Sequence, residues 1–302
     1  MLNKSVLRGE KLKMKYEIKM DFYQDWISHL RKVLEKAGYS PATNQEEVSM
    51  QYFNLLRRLI PAVPRKVRMA KEFTCPPELR SGLCLVTEKI EQGKDLRSHL
   101  SRNIIDLDYD DDLLNDWDIY HLHLGTSIDD DGFVKRTGPV LFVRFDGEFA
   151  YFINVMGHGS WTNQDMIRII HRNWPESIER FRIKGVLGLN NSLTNQDIKK
   201  LRKAHVVSFI EPEPGVVYGP PGMGLTTSGI GLGVVRASDH YAKLIRGYED
   251  IIKGNIEDIS DKVKDEGIVL GKKLSFILKI EEESVLAYEE NHNVIVNLGK
   301  LQ

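Results

Sequence analysis

Three short runs of β-branched and aromatic residues constrain the fold of this chain more than any other feature. They cover residues 119–125, 139–146 and 149–156, and their length and composition are typical of β-strands. Between the second and third runs, Asp146-Gly147 favours a tight hairpin. The pattern therefore predicts an antiparallel meander near the middle of the chain.

Helical periodicity dominates the sequence before this meander. Apolar residues recur at helical spacing over residues 20–38. Thr43 and Glu46 resemble a capping box in front of a second helix. After the meander, a helix is expected from Thr162 to Trp174.

Strand-type and helical runs alternate in the last third of the chain. The run "IKGVLGL" is typical of a strand, and Thr194 with Asp197 resembles a capping box. A long helix is expected over residues 233–254, and residues 274–298 have the pattern of a closing β meander.

These patterns together predict an α+β fold in three parts. The first is a helical N-terminal region over residues 1–115. The second is an antiparallel sheet core with one packed helix over residues 116–183. The third is a C-terminal α/β unit over residues 184–302.

The charges are segregated along the chain although the formal net charge is only −1. Any affinity for nucleic acid must therefore come from local patches. Residues 57–71 contain six basic residues and no acid, whereas residues 106–118 contain seven aspartates and no base. The basic run indicates either a solvated surface or a contact with nucleic acid phosphates. In the second case the phosphate-binding residues are Arg57, Arg58, Arg65, Lys66 and Arg68.

The two cysteines, Cys75 and Cys84, form neither a disulfide framework nor a zinc motif. The first 22 residues lack the apolar core of a signal peptide, and no stretch has membrane-spanning length. We therefore expect a cytoplasmic protein without a membrane partner.

Titratable and basic residues occur at the ends of the central strands. His121 and His123 are two positions apart, so a strand directs both rings to one face. Arg136 precedes the second strand, and His158 follows the third. Because antiparallel neighbours bring these two ends together, we expect Arg136 and His158 to be close.

Histidines beside a fixed cation suit phosphoryl transfer, in which one ring takes a proton and another donates one. RNA supplies its own nucleophile, the ribose 2′-hydroxyl, so its cleavage requires no metal or cofactor. Two other readings of these histidines remain open. They can be partly exposed side chains on a sheet, or the H-x-H pair can ligate a metal with nearby carboxylates.

The sequences "IYHLHLG", "KRTGPVLFVRF" and "FAYFINVMGHGSW" resemble the sheet core of the RelE-like toxins and the wider barnase, EndoU, colicin and RelE type of endoribonucleases. The resemblance covers about residues 117–175. It implies that Arg136 binds phosphate and that His158 is a general acid or base. With "HLHLG" and "NWPE", the whole chain also resembles a group of bacterial proteins, some with suspected roles in phage defence.

The leading hypothesis is a metal-independent endoribonuclease of toxin or phage-defence type that acts on RNA and has a cognate antitoxin or inhibitor. Its expected catalytic residues are His121, His123, Arg136 and His158. Lys135, Thr137 and Ser160 join the basic run as expected substrate-binding residues. The alternatives are a non-catalytic RNA- or protein-binding module and a metal-dependent hydrolase that uses the H-x-H pair.

Three further features of the sequence are expected to have structural roles. His171 lies on an apolar helical stripe and is expected to be a hydrogen-bonded core residue. The glycine-rich run over residues 218–233 lacks the lysine of a phosphate-binding loop, so a flexible loop is expected. If that run is functional, its hydroxyls bind phosphate: Thr226, Thr227 and Ser228. Asp108, Asp110 and Asp111 are expected to form either a solvated turn or a surface that pairs with the basic run.

Overall fold

A computed structural model describes residues 16–282 and 284–301, and these residues have an α+β fold with seven α-helices and three β-sheets. The strands are β1 (Glu17–Lys19), β2 (Lys66–Met69), β3 (Tyr120–Leu122), β4 (Pro139–Phe145), β5 (Phe149–Gly157), β6 (Ile210–Glu213), β7 (Val216–Tyr218), β8 (Lys273–Glu281), β9 (Ser284–Glu289) and β10 (Val294–Lys300). The helices are α1 (Phe22–Lys36), α2 (Gln45–Arg58), α3 (Arg80–Glu91), α4 (Asp112–Trp117), α5 (Asp165–Asn173), α6 (Asn195–Lys203) and α7 (Leu232–Asp265). Among these helices, none is both long and apolar enough to cross a membrane.

The chain forms two compact units. The terminal unit consists of the described parts of Met1–Gly38 and Asp239–Gln302, and the central unit consists of Tyr39–Ser238. The boundaries predicted near residues 115 and 184 both lie inside the central unit. Local patterns do not reveal that the two ends of a chain share one sheet, because that pairing depends on contacts between distant residues.

The sheet of the terminal unit has the strand order β1-β8-β9-β10. β8, β9 and β10 pair antiparallel, which confirms the predicted closing meander, and β1 pairs parallel with β8. The carboxylate of Asp25 in α1 accepts a hydrogen bond from the backbone N–H of Leu278 at 2.8 Å. This contact ties α1 to the middle of the sheet.

The sheet of the central unit has the order β2-β5-β4-β3 and contains the predicted meander. Asp146 accepts hydrogen bonds from the N–H groups of Glu148 and Phe149 and thereby closes the hairpin between β4 and β5. β2, which lies in the basic run, adds a parallel strand beside β5. α5 packs buried side chains against this sheet, including Ile167 and Ile170.

Three local predictions about caps and strands have different outcomes. The box of Thr194 and Asp197 is confirmed at the start of α6. α2 is capped by Asn44 instead of Thr43, because the Asn44 side chain accepts from the first free N–H groups of the helix. The segment "IKGVLGL" is not a strand, since Gly185 and Gly188 have positive φ angles that interrupt an extended chain.

Candidate functional site

A cavity of about 530 Å³ in the central unit brings several of the predicted residues together. His121 of β3 lines the cavity from the sheet. Other lining residues come from the loops that flank β4 and β5 and from α4 and α6. Its polar and aromatic lining includes His121, Arg136, His158, Trp161, Lys199, Arg202, Lys203, Asp110, Asp111 and Asp112.

Arg136 and His158 lie at the same end of the β4–β5 hairpin. Pro139 at the start of β4 pairs with Gly157 at the end of β5, and the His158 N–H donates to the carbonyl of Gly138 at 2.9 Å. Both side chains line the cavity with His121. The expectation that the meander brings Arg136 and His158 to one end of the sheet therefore agrees with the geometry.

His121 is held in β3 opposite Phe142 of β4 and is only 8% exposed. Its Nδ1 lies 3.9 Å from Oδ2 of Asp111. The other oxygen of Asp111 caps α4 by accepting from the Leu114 N–H at 3.0 Å, which fixes the carboxylate in this orientation.

Burial lowers the pKa of His121, because desolvation disfavours the imidazolium form. The Asp111 carboxylate opposes this effect, while His158 and Arg136 add to it through charge repulsion. The ring is therefore mainly neutral at neutral pH and can accept a proton.

His123 does not line the cavity, in contrast to its expected catalytic position. It is 2% exposed, and its ring stacks on that of His158 with 6.0 Å between the centroids. β3 ends at Leu122, and the backbone N–H and C=O of His123 both bond to His99. The 6.4 Å between the His121 and His123 rings is consistent with the predicted shared face, but His123 contacts His158 without lining the cavity.

The ring of His123 is held in its neutral form. Burial is the largest cause of a pKa lowered to about 4, and the neighbouring His121 and Arg136 add to it. Neither ring nitrogen has a hydrogen-bond partner among the described residues. A neutral His123 ring therefore places no positive charge against the ring of His158.

Trp161 contacts both histidines of the cavity, although the sequence did not single it out. Its ring centroid lies 4.5 Å from that of His121 and 4.9 Å from that of His158. It also packs against Phe142 on β4. Its place three residues after His158 is the only local signal that could have indicated it.

α6 supplies cations that the sequence interpretation missed. Lys199 and Lys203 are four residues apart, which puts them on one helical face, and both line the cavity. The buried Ile198 and Arg202 orient the helix so that this face meets the cavity. The basic run "KKLRK" was visible in the sequence, but the direction in which it points depends on the fold.

Asp110 and Asp111 line the cavity instead of forming a solvated turn, and among the described residues neither forms an ion pair with the basic run. Burial raises the pKa of Asp110 to about 6, and a hydrogen bond from the backbone of Gly231 opposes the rise. The pKa of Asp112 is also raised, mainly by burial. Asp110 is therefore only partly charged in mildly acidic solution.

The glycine-rich run is a packed loop and not a flexible one, which corrects that prediction. The N–H groups of Gly222 and Gly224 donate to the carbonyls of Asp116 and Asn115. A Cβ on Gly222 would lie 2.3 Å from the Leu114 carbonyl oxygen, so only glycine fits there. The hydroxyls expected to bind phosphate do not line the cavity, and those of Thr226 and Ser228 bond to each other at 2.9 Å.

The arginines of the basic run are occupied within the protein. Arg57 pairs with Asp118 at 2.7 Å. Arg58 is 5% exposed and donates to four backbone carbonyls, and Arg65 donates to three. These groups brace the fold and do not line the cavity.

The remaining cations of the run lie on the sheet edge away from the cavity lining. Lys66 pairs with Glu148 at 3.1 Å. Arg68 lies over the ring of Phe149 and within 3.6 Å of Glu176. The structure therefore does not bring the basic run to the histidines.

The other expected substrate-binding residues stand beside the cavity without lining it. Lys135 is exposed. Thr137 accepts from the Leu124 N–H and donates to the Pro139 carbonyl, so its hydroxyl is used within the turn. Ser160 donates to the carbonyl of Gly157.

His171 is hydrogen-bonded as expected, but it is partly buried and lies outside the core. Its Nδ1 lies 3.0 Å from the Tyr218 hydroxyl, and its Nε2 lies 3.0 Å from a carboxylate oxygen of Glu213. It therefore has no free nitrogen for chemistry at the cavity.

The described residues contain no group of three or more His, Cys, Asp or Glu side chains arranged to hold a metal ion. No protein-family model, no curated protein and no solved structure matches this chain. Any functional assignment must therefore be argued from the cavity itself.

Proposed function

We propose that the central unit is a metal-independent endoribonuclease that cleaves RNA by attack of the ribose 2′-hydroxyl on the adjacent phosphate. The observation that carries this proposal is the meeting of His121, His158 and Arg136 in one cavity with the lysines of α6. The cavity volume of about 530 Å³ lies within the usual range of small-ligand sites, so it suits a nucleotide unit of a longer chain.

The cations support an anionic substrate. Arg136, Lys199 and Lys203 line the cavity, and none of them has an ion-pair partner in the part of the chain that the structure describes. A phosphate would bind these groups by charge-assisted hydrogen bonds. Arg136, beside His158, is the group that binds the phosphate to be cut.

In this proposal His121 is the base and His158 is the acid. The neutral ring of His121 removes the proton of the 2′-hydroxyl, and Asp111 stabilises the imidazolium that forms. The 2′-oxygen attacks phosphorus, and the bond to the 5′-oxygen breaks. His158 donates a proton to that 5′-oxygen, so the products are a 2′,3′-cyclic phosphate and a 5′-hydroxyl.

Trp161 supports the binding of a nucleobase. Its ring lies against both histidines at the cavity wall. Bases stack on aromatic side chains with little dependence on sequence. A base stacked here would hold its ribose near His121.

The role of a toxin or phage-defence protein, with a cognate antitoxin or inhibitor, belongs to the same proposal. Such an inhibitor would have to cover the cavity that contains His158. Expression of the active protein in bacteria should then slow growth, and expression of the His158→Ala variant should not.

The direct test is cleavage of total RNA and of a labelled single-stranded RNA in the presence of a chelator. We expect 2′,3′-cyclic phosphate ends, with rates reduced by about 10²–10⁴-fold in His158→Ala and His121→Ala, the range for loss of an acid or base. Arg136→Ala should reduce the rate by about 10²-fold or more. The controls are Arg168→Ala and His240→Ala, whose side chains are exposed or partly exposed and do not line the cavity.

Cleavage that survives both Arg136→Ala and His158→Ala would contradict the assignment. RNA binding without cleavage would replace it with the non-catalytic binding module. Cleavage that the chelator abolishes would favour the metal-dependent alternative.

A further inference from the structure

We propose that the cavity binds a second phosphate of the RNA, adjacent to the one that is cut, on the α6 face formed by Lys199, Arg202 and Lys203. This inference rests on the proposed RNA substrate and names a specificity determinant of the same site. It predicts that the enzyme recognises at least two successive phosphates of a single strand.

Arg202 provides this face with a buried cation that is held in a fixed position. It is 4% exposed, its Nε donates to Asp116 at 2.8 Å, and its Nη1 donates to the carbonyl of Trp161. Its guanidinium lies 4.2 Å from the centroid of the Trp117 ring. The position of the charge is therefore fixed before any substrate binds.

One donor group of Arg202 is unused. Its Nη2 is buried and has no hydrogen-bond partner among the described residues, although the residue lines the cavity. A buried donor without a partner is unfavourable, and a bound phosphate oxygen would relieve that cost. Because Nε and Nη1 hold the guanidinium in place, the free Nη2 of Arg202 provides a directed donor where the lysines provide charge.

Lys199 and Lys203 extend the same face toward solvent. Both are exposed, both line the cavity, and neither has an ion-pair partner in the described residues. The carboxylate of Asp112 on α4 lines the same cavity, and Asp116 of α4 is the carboxylate that pairs with Arg202. The raised pKa of Asp112, caused mainly by burial, shows that this carboxylate is poorly solvated.

The α6 cations are separate from the cation beside the histidines. Arg136 precedes β4 at the end of the hairpin that also carries His158, whereas Lys199, Arg202 and Lys203 reach the cavity from α6. The cavity therefore has one cation beside His158 and a second group of cations on a different element. Two phosphates joined by a nucleoside fit this arrangement, and a single phosphate uses only one part of it.

The test compares the binding of adenosine 3′,5′-bisphosphate with that of the 5′- and 3′-monophosphates by titration calorimetry. We expect the bisphosphate to bind at least about 10-fold more tightly than either monophosphate. Lys199→Ala and Lys203→Ala should each weaken bisphosphate binding by about 2–5-fold, as expected for one exposed charged contact. The matched control is Lys200→Ala, an exposed lysine on the same helix that does not line the cavity.

The inference is overturned if the bisphosphate binds no more tightly than the monophosphates. It is also overturned if Lys200→Ala weakens binding as much as the two lining lysines do. These binding measurements do not require cleavage. A protein that shows the expected binding pattern but leaves RNA intact would retain the second phosphate site and lose its assignment as a ribonuclease.

Discussion

Two segments of the central unit are both rich in basic residues, but their cations have different environments. Residues 57–71 contain six basic residues, and α6 carries four within Asn195–Lys203. In the first run, the arginine groups are bonded to backbone carbonyls or paired with carboxylates. In α6, Lys199 and Lys203 line a cavity without ion-pair partners in the described residues.

The difference shows that the number of basic residues in a segment does not indicate whether they bind a ligand. A cation is available for a substrate only if the fold leaves its donors unsatisfied. Arg58 fails this criterion because its guanidinium contacts four carbonyls, whereas the exposed Lys203 meets it. The comparison leads to predictions in which one region affects stability and the other affects binding.

The largest expected effect on stability is that of Arg58→Ala. The change leaves the partly buried carbonyls of residues 103 and 106 and the buried carbonyl of residue 107 without a charged donor and should lower the free energy of unfolding by about 3 kcal/mol. Urea unfolding followed by circular dichroism measures this change. Lys66→Ala is the control from the same run, since its exposed pair with Glu148 should contribute less than about 0.5 kcal/mol. Equal effects of the two substitutions would remove the distinction between buried and surface cations.

The next effect concerns pH and His123. Its pKa is lowered to about 4 in the folded protein, against about 6.5 in the unfolded chain. Between these values the unfolded state binds more protons, so stability falls as the pH decreases from 6.5 toward 4. We expect His123 to account for a loss of about 2 kcal/mol between pH 7 and pH 5.

His123→Leu tests this linkage because leucine fills the site without a titratable ring. Unfolding measured at both pH values should show a smaller loss in the variant than in the original protein. A variant with the same loss would show that other groups, His121 among them, cause the pH dependence. His240→Leu, at an exposed position, is the control.

Asp110 should have the opposite pH dependence. Burial is the main cause that raises its pKa from 3.8 to about 6. The charged form of Asp110 is therefore destabilising above pH 6, and this destabilisation is lost as the group is protonated toward pH 4. Asp110→Asn should therefore raise the free energy of unfolding by about 1 kcal/mol at pH 7. The gain should disappear near pH 4, and the exposed Asp130→Asn should produce none.

The sheet core and one end of the site could be predicted because they depend on local patterns. The runs of β-branched and aromatic residues in β4 and β5 and the turn at Asp146 define the hairpin, and antiparallel pairing then brings Arg136 and His158 to the same end. The capping box of α6 was also visible, since it involves only residues three apart.

The rest of the site depends on contacts between distant segments. Asp116 lies 86 residues before Arg202, and their ion pair decides which face of α6 meets the cavity. The burial of His123 likewise depends on His99, through two hydrogen bonds across 24 residues. Neither contact leaves a pattern among neighbouring residues of the sequence. The sequence therefore indicated which residue types are present but not how their side chains are oriented.

The smallest effect on stability should accompany the clearest effect on RNA binding. Lys203→Ala removes an exposed side chain and should change the free energy of unfolding by less than about 0.5 kcal/mol. If Lys203 contacts a phosphate, its loss also removes one released counterion, so the slope of log K against log salt should become shallower by about 0.7 for a single strand.

The measurement is fluorescence anisotropy of a labelled single-stranded RNA at several salt concentrations, in a His158→Ala background so that the RNA stays intact. Lys66→Ala should leave both the slope and the affinity unchanged, because Lys66 is paired and lies outside the cavity lining. A shallower slope in Lys66→Ala would mean that the basic run also contacts RNA phosphates. The lack of a partner within the folded chain would then not distinguish the cations that bind RNA from those that do not.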